Sequence, residues 1–450
     1  MRIHAITLGC QMSAADGAET LAALSRLGWQ RTESRDDADA ILMTTCAVRR
    51  HAEHRAISLI GSLREWKAHD PRRFLAVTGC VAQRLGRRLT QRFPHVDLVV
   101  GARSAARYPE LLAAELEKRF GVAAPPLPGK ENACPSRTAR PCAPPSGGNH
   151  DASSPNGDAT RYRASAFVTI MRGCDCACSY CVVPAVRGPE ICRPPEEILA
   201  EVREKVAGGV REVTLLGQRV NAYACVRNGR RTDFADLLRL VDGIAGLRRL
   251  RFMSPHPGLC CERTAAAVRE CRTVCPWVHL PVQSGCDRLL GVMRRGYTRA
   301  EFLRTVARLR RAVPGVVLST DIIVGFPSET EEEFAQSLAL LEELRPATAF
   351  CFKYSAREGT PAAALPDDVP PRVKEERLAA TNAVVDRLTV AALRSQVGSV
   401  VEVLAESPTF GRTRTGFKVR WERPVAPGSL VQLRIGSATR RNLLGDIHEP

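Results

Sequence analysis

Four cysteines are packed into the stretch RGCDCACSYC, which covers residues 172 to 181. Four thiolates at this spacing could bind a zinc ion in a closed tetrahedral site. Alternatively, three of them could bind three corners of a 4Fe–4S cluster and leave the fourth iron open for chemistry. The C-x3-C-x2-C spacing of Cys174, Cys178 and Cys181 favours the cluster. Cys176 is then a spare thiol, although a redox or ligand-exchange role for it stays open.

A second set of three cysteines ends short apolar runs near the start of the chain. The runs TLGC, MTTC and VTGC end in Cys10, Cys46 and Cys80. If these runs are parallel strands of one sheet, their carboxyl ends lie on one edge, where open α/β folds bind ligands. We therefore expect the three thiols to converge and to hold a second cluster with an open iron. The alternative is three buried cysteines that happen to end strands.

The elements around the second set predict a parallel α/β domain. Residues 1–121 alternate strand-like apolar runs with helical patterns, which is typical of a parallel sheet covered by helices. Residues 122–160 are rich in Pro, Ser, Gly and Asn and have no period, which predicts a linker or disordered insertion. Cys134 and Cys142 lie in this insertion, so we do not expect them to be ligands.

The cysteine-rich loop belongs to a different kind of domain. Residues 161–392 carry six strand candidates separated by helical stretches, which predicts a partial (β/α)6 barrel. The first candidate, AFVTIMRG, leads directly into the loop and places it at the carboxyl end of a strand, where such barrels carry active sites. Residues 393–450 contain short strand-like runs and turns, which predicts a small antiparallel β-barrel.

The composition favours an intracellular protein that binds nucleic acid. The chain of 450 residues has 65 Lys and Arg against 48 Asp and Glu, a net charge of +17. This balance suits a polyanion, although an Arg-rich host would give it too. Residues 411–442 alone hold eight Lys or Arg and one Glu, which is typical of an RNA-binding surface or a solvated basic one. No run of about 18 apolar residues and no export signal is present, so we expect a cytoplasmic protein with cysteines that are metal ligands or buried, not disulfides.

The loop resembles the radical S-adenosylmethionine superfamily. The signature of that superfamily is C-x3-C-x2-C with an aromatic residue before the last cysteine, which is Tyr180 here. The resemblance implies that the open iron binds the amino and carboxylate groups of S-adenosylmethionine. One-electron reduction then splits this cofactor into methionine and a 5′-deoxyadenosyl radical, which abstracts a hydrogen atom from a C–H bond.

Nearly the whole chain outside residues 122–160 resembles the methylthiotransferase family. Members of that family join an N-terminal three-cysteine domain to a radical barrel and end in a small barrel, the TRAM domain. The similar stretches are TLGCQM, TTCAVR, GCVAQ, CVVPAVRG, LPVQSGCDRLLGVMRRGYTR, TDIIVGFPSETEEEF and YSAREGTPAA. The stretch VTLLGQRVNAY is similar to the branch that acts on tRNA carrying isopentenyladenosine.

The resemblance implies insertion of sulfur and then of a methyl group at C2 of the adenosine at position 37 of tRNA, beside the anticodon. Two molecules of S-adenosylmethionine are implied per turnover, one for the radical and one for the methyl group. A low-potential electron donor such as flavodoxin or ferredoxin is implied, and we expect a monomer without membrane attachment. The implied ligands are Cys174, Cys178 and Cys181 for the radical-generating cluster and Cys10, Cys46 and Cys80 for the sulfur-handling cluster.

Four polar residues at the carboxyl ends of barrel strands are candidate contacts of the cofactor. Gln218 and Asn221 follow the second strand candidate, and Ser254 and His256 follow the third. A role in satisfying loop backbone groups stays open for each. Arg219 stands where the tRNA branch usually has Asn.

Two further departures from the family pattern flank the second cluster. Ser13 and Thr44 stand where the family often has Asn, so the hydrogen bonds around this cluster differ while its ligands do not. Two alternative functions stay open. One is the same chemistry on threonylcarbamoyl-adenosine or on a ribosomal protein, and the other is a zinc-stabilised RNA-binding protein without turnover.

Overall fold

The computed structural model describes residues 1–48, 50–121 and 164–449. The insertion predicted at 122–160, with Cys134 and Cys142, lies outside these residues. The chain divides into two compact units, Met1–Arg161 and Tyr162–Pro450. In the described residues, no helix is both long and apolar enough to cross a membrane.

The first unit is a five-stranded sheet in the order β2-β1-β3-β4-β5, and all of its strand pairs are parallel. Its strands are β1 (Arg2–Thr7), β2 (Gln30–Arg31), β3 (Ala40–Thr45), β4 (Phe74–Gly79) and β5 (Leu98–Gly101). Its helices are α1 (Gln11–Arg26), α2 (Arg50–His69), α3 (Cys80–Leu85), α4 (Arg87–Arg92) and α5 (Tyr108–Phe120). Every residue of β3 and β4 is buried, as expected of central strands covered on both faces.

The second unit begins with six parallel strands that alternate with helices. The strands of this part, together with two short antiparallel hairpins, are β6 (Ser165–Thr169), β7 (Met171–Arg172), β8 (Ile191–Cys192), β9 (Glu212–Leu216), β10 (Ala224–Arg227), β11 (Arg230–Asp233), β12 (Arg249–Phe252), β13 (Trp277–His279), β14 (Val317–Val324) and β15 (Thr348–Lys353). The helices are α6 (Val183–Arg187), α7 (Pro195–Ala207), α8 (Phe234–Asp242), α9 (Glu262–Glu270), α10 (Asp287–Val292), α11 (Arg299–Ala312), α12 (Glu331–Leu344) and α13 (Pro371–Arg394).

The six strands form two three-stranded sheets, β12-β9-β6 and β13-β14-β15. The two sheets meet at a single parallel bridge between Leu250 and Val274, so the strand order runs continuously through all six strands. Within the described residues, β6 and β15 do not pair. The predicted partial (β/α)6 barrel is therefore confirmed, with its opening between the first and last strands.

Side chains on the six strands alternate between two environments. Outward side chains such as Leu215, Leu250 and Ile322 join a hydrophobic core with the surrounding helices. The neighbouring residues on each strand point into the barrel, because successive side chains of a strand face opposite ways. The carboxyl end of each strand then leads into a loop at one rim of the barrel.

The chain ends in a closed five-stranded barrel in the order β16-β17-β18-β20-β19. Its strands are β16 (Val400–Ser407), β17 (Phe410–Thr413), β18 (Lys418–Arg420), β19 (Leu430–Ala438) and β20 (Leu443–Ile447). The predicted small barrel is confirmed.

Two buried arginines attach this C-terminal barrel to the larger, six-stranded barrel that precedes it. Arg249 is 0% exposed and donates to the carbonyl oxygens of Arg412 (2.6 Å) and Glu402 (3.0 Å) and to the Glu402 carboxylate (2.9 Å). Arg251 bonds to Glu212 at 2.9 Å and to the carbonyl oxygen of Thr413 at 2.8 Å. Both side chains project inward from β12. At this point, therefore, backbone of the C-terminal barrel covers the inside of the six-stranded barrel.

Replacing Arg249 with Met should lower the free energy of unfolding of the second unit by about 2 to 4 kcal/mol, because buried carbonyl groups and a carboxylate lose their donor. Thermal and denaturant unfolding would measure the change. The matched control is Arg372→Met, since Arg372 is 89% exposed and its pair with Glu376 lies on a helix surface. Equal midpoints for the two variants would contradict the prediction.

Candidate functional site

The cysteine-rich loop follows β6 and β7 and runs along residues 188–190. Gly173 has φ +80°, and a Cβ at this position would lie 1.8 Å from the carbonyl oxygen of Pro189. The amide of Cys174 donates to the carbonyl oxygen of Gly188 at 3.0 Å. The loop therefore begins with a close backbone approach that only glycine permits.

The four thiols of the loop lie close enough to influence one another. Cys174 and Cys178 are buried, and Cys176 and Cys181 are half-buried. A hydrogen bond with Cys176 lowers the pKa of Cys174, and a hydrogen bond with Cys176 raises the pKa of Cys178. Burial raises the pKa of Cys181 to about 11. Cys176 thus lies between two of the predicted ligands and contacts both of them.

Cys176 also has a charged partner outside the loop. Arg219 donates from Nη1 to Cys176 Sγ at 3.2 Å. The same guanidinium binds both carboxylate oxygens of Glu190, at 2.7 and 2.9 Å, and this hydrogen-bonded pairing raises the pKa of Arg219. The extra thiol and the unusual arginine, which the sequence presented as two separate departures from the family pattern, therefore belong to one contact.

A second arginine reaches the loop from the segment after α10. Arg295 is buried and donates to Cys178 Sγ at 3.4 Å, to the carbonyl oxygen of Pro281 at 2.8 Å and to the Tyr297 hydroxyl at 3.0 Å. It also lies 3.4 Å from the Tyr180 hydroxyl. Sequence reasoning missed Arg295. The available signal was its position in MRRGYTR, one of the stretches that carry the family resemblance.

The four predicted cofactor contacts follow β9 and β12 at the rim of the barrel, but they differ in what they can do. Both polar atoms of the Asn221 side-chain amide are engaged with the backbone of His256: Nδ2 donates to its carbonyl oxygen at 2.9 Å, and Oδ1 accepts from its amide N–H at 2.7 Å. Asn221 therefore positions the His256 segment. Ser254 adopts φ +59° immediately after β12, a conformation that is strained for a residue with a side chain.

Gln218 and His256 carry buried polar atoms that lack a hydrogen-bond partner in the described part of the chain. These atoms are Gln218 Oε1 and His256 Nδ1. Burial lowers the pKa of His256 to about 3, so its ring is neutral at physiological pH. Buried polar atoms without a partner are costly in a protein interior. Gln218 Oε1 is an acceptor, and a nitrogen of a neutral imidazole accepts or donates according to its tautomer, so each atom is available to a polar ligand.

The three cysteines of the first unit lie at one edge of its sheet. Cys46 and Cys80 directly follow β3 and β4, and Cys10 precedes α1. A hydrogen bond with Cys10, followed by burial and the proximity of Cys80, raises the pKa of Cys46 well above its ordinary value. The structure therefore brings Cys10 into contact with Cys46, with Cys80 nearby.

Two glycines permit these strand ends to lie close together. A Cβ at Gly9, where φ is +143°, would lie 2.1 Å from Cys46 Cβ. A Cβ at Gly79, where φ is +97°, would lie 2.2 Å from the carbonyl oxygen of Thr45. Any larger residue at either position would push neighbouring strand ends apart.

The residues that depart from the family pattern around these cysteines make direct contacts. Ser13 Oγ lies 3.6 Å from Cys10 Sγ and donates to the carbonyl oxygen of Thr45 at 3.4 Å. The hydroxyls of Thr44 and Thr78 are 3.2 Å apart. Ser13 therefore links one cysteine to the strand that precedes another.

In residues 1–48, 50–121 and 164–449, no three His, Cys, Asp or Glu side chains are already gathered as ligands of one metal ion. The two cysteine sets therefore stay predictions as ligand sets.

The sequence of the chain is similar to known families and proteins along most of its length. Residues 2–101 match Uncharacterized protein family UPF0004, and residues 168–341 match the Radical SAM superfamily. A tRNA-2-methylthio-N(6)-dimethylallyladenosine synthase of Geobacter metallireducens is 40% identical over 98% of this chain and 97% of its own length. A protein of the same name from Syntrophotalea carbinolica is 37% identical over 98% of both chains.

Solved structures support the fold. The radical S-adenosylmethionine methyltransferase TsrM from Kitasatospora setae superposes with a TM-score of 0.55, covering 80% of this chain and 75% of its own. Its sequence is 17% identical, so the likeness concerns the architecture alone.

Replacing Gly9 with Ala should expose Cys46, which is 0% exposed, because the new methyl group displaces the cysteine. Titration of the iron-free protein with a thiol reagent would detect one more fast-reacting thiol. The matched control is Gly28→Ala, since Gly28 also has positive φ, +91°, but has no atom within 4 Å of the added Cβ. Identical thiol reactivity in the two variants would show that the close approach is unimportant.

Proposed function

This chain belongs to the family of the tRNA-2-methylthio-N(6)-dimethylallyladenosine synthases, and we propose that it is a radical S-adenosylmethionine methylthiotransferase with the substrate which those names describe. It adds a methylthio group to C2 of N6-isopentenyladenosine at position 37 of tRNA. The observation that carries the proposal is the presence of one three-cysteine set at a strand-end edge of each unit, within a similarity that extends over both units.

Each three-cysteine set would hold one 4Fe–4S cluster. Cys174, Cys178 and Cys181 would hold the first, since their C-x3-C-x2-C spacing lets one loop bind three corners of a cubane. Cys10, Cys46 and Cys80 would hold the second. Thiols are the ligands that iron–sulfur clusters take, and each set supplies three, which leaves one iron of each cluster without a protein ligand.

The remaining residues of the site bind the cofactor, orient the cluster ligands and exclude water. When bound, S-adenosylmethionine supplies both the radical that activates the adenosine C–H bond and, from a second molecule, the methyl group, and the second cluster supplies the site of sulfur handling. Gln218 and His256 offer their unpartnered polar atoms to the cofactor, and Asn221 fixes the His256 backbone. Arg295 orients Cys178 by its bond to the sulfur, while the surrounding buried side chains exclude water.

The basic C-terminal barrel suits the tRNA. Arg420 lies 5.6 Å from the ring of Phe410, so a cation and an aromatic ring stand together on this barrel. The exposed cations of the barrel include Arg412, Lys418, Arg420, Arg434, Arg440 and Arg441. Phosphate contacts by such side chains provide sequence-independent affinity, while the site within the larger barrel selects the nucleoside. We further propose a cytoplasmic monomer that receives electrons from a flavodoxin or ferredoxin.

Replacing Cys178 with Ala should abolish cleavage of S-adenosylmethionine, because the first cluster loses a ligand. Replacing Cys46 with Ala should leave cleavage and abolish methylthiolation, because it removes a ligand from the second cluster only. Chromatography of 5′-deoxyadenosine and of the tRNA nucleosides would measure both reactions. Cleavage that survives in the Cys178 variant would refute the assignment of the first cluster.

The matched control for these variants is Cys176→Ala. This change removes a neighbouring thiol of the same loop but no predicted ligand, and it leaves Arg219 bound to Glu190. The variant should keep about eight irons per chain, the content of two cubanes, and nearly full activity. Loss of about four irons would instead assign Cys176 to the cluster.

Expression in a bacterium that lacks its own tRNA methylthiotransferase tests the substrate. Digested tRNA should contain 2-methylthio-isopentenyladenosine by nucleoside mass spectrometry, and the product should vanish with Cys178→Ala. Its absence from brown, iron-replete protein would redirect the assignment to threonylcarbamoyl-adenosine or a ribosomal protein. A colourless protein that binds zinc and RNA would refute the enzymatic proposal as a whole.

A further inference from the structure

The inner face of the barrel is divided into two chemically different halves. On the β12-β9-β6 side it carries the ion pair of Arg251 with Glu212 and the buried Arg249, all tied to the C-terminal barrel. On the β13-β14-β15 side it carries aromatic rings, from Trp277 and Phe350. Among the described residues of the six barrel strands, only the second half presents a large apolar side chain that is exposed, Phe350.

His279 is the centre of the aromatic half. Its ring is stacked on Trp277, with a centroid distance of 6.3 Å and an angle of 17°, and meets Phe350 edge-on at 5.9 Å and 73°. Its Nδ1 lies 2.9 Å from Ser319 Oγ, and its Nε2 lies 3.4 Å from Asp321 Oδ1. Both ring nitrogens therefore have partners, and His279, which is 4% exposed, holds the two neighbouring rings in place.

Phe350 is 43% exposed although it lies in the middle of a strand. Its neighbours Ala349 and Cys351 pack against the helix-facing core, so the strand is oriented normally and Phe350 points inward. A phenylalanine that remains exposed on a concave inner surface is a site for an apolar or aromatic ligand.

A carboxylate stands beside this ring. Asp321 is the register partner of Phe350 across β14 and β15, and its side chain is 23% exposed. Its Oδ1 faces His279, which leaves acceptor capacity on the carboxylate for a donor in the barrel. A flat ring with an N–H group at its edge matches this combination of an exposed aromatic face and an acceptor.

We propose that Phe350 and Asp321 form the recognition surface for the substrate base, with the adenine ring stacked on Phe350 and its N6–H donated to Asp321. This inference rests on the proposed function and names the residues that would bind the adenine ring and the N6–H group of its substrate. An enzyme that acts on one base of a folded RNA reads it by stacking and edge hydrogen bonds once the base leaves its stack. Trp277 and His279 are positioning residues for the Phe350 ring.

The test compares two anticodon stem-loop RNAs, one with isopentenyladenosine and one with adenosine at the target position, on iron-reconstituted full-length protein. Phe350→Ala should weaken binding of the prenylated RNA about ten-fold, while Phe350→Tyr should retain binding because it keeps the stacking surface. The matched control is Leu240→Ala, since Leu240 is 40% exposed but lies on α8 outside the barrel. Leu240→Ala should leave binding of both RNAs unchanged, and also cleavage of S-adenosylmethionine without RNA.

The outcomes distinguish a failure of the recognition surface from a failure of the proposed function. A wild-type preference for the prenylated RNA, with weaker binding of both RNAs in Phe350→Ala and in Asp321→Ala, supports the recognition surface, because both bases carry the adenine ring and an N6–H group. A wild-type preference for the prenylated RNA together with unchanged binding in Phe350→Ala would overturn the recognition surface and keep the proposed function. Wild-type protein that binds the two RNAs alike would overturn both the recognition surface and the substrate assignment.

Discussion

Parallel strand pairing is the constraint on which both cysteine sets depend. In the first unit, Thr44 pairs with Thr7 on one side and with Thr78 on the other, so three successive strands end together. The cysteines that follow these strands then share an edge, although they are far apart in sequence. In the second unit the same geometry brings the cysteine loop, the Gln218 segment and the His256 segment to one rim.

Gathering thiols at buried strand ends is electrostatically unfavourable for their charged form, as the raised pKa values of Cys46 and Cys181 indicate. The second unit counters this with cations that reach the sulfur atoms. Arg295 contacts Cys178, and Arg219 contacts Cys176 while held by Glu190. Hydrogen bonds and charges at the sulfurs of iron–sulfur centres tune their reduction potential, so these arginines link the packing of the loop to its proposed redox chemistry.

The C-terminal barrel and the larger barrel form one body because buried groups join them. Arg249 and Arg251 enter the junction from β12, and Arg414 returns the contact by donating to the carbonyl oxygens of Arg272 and Val274 at 2.6 and 3.0 Å. A basic surface held at a fixed place relative to the inner face of the barrel suits an RNA that is bound by its phosphates and modified at one base.

The sequence by itself determined the cysteine spacing, the six barrel strands and the edge shared by Cys10, Cys46 and Cys80, because these follow from local period and from the rule that parallel strands end together. It could not determine that Asn221 is engaged with the backbone of His256, or that Arg295 reaches Cys178. Those contacts join residues 35 and 117 positions apart, and such pairs are decided only when the strands and helices pack. The tertiary structure alone therefore decided which polar residues are used up by the fold and which remain available for a ligand.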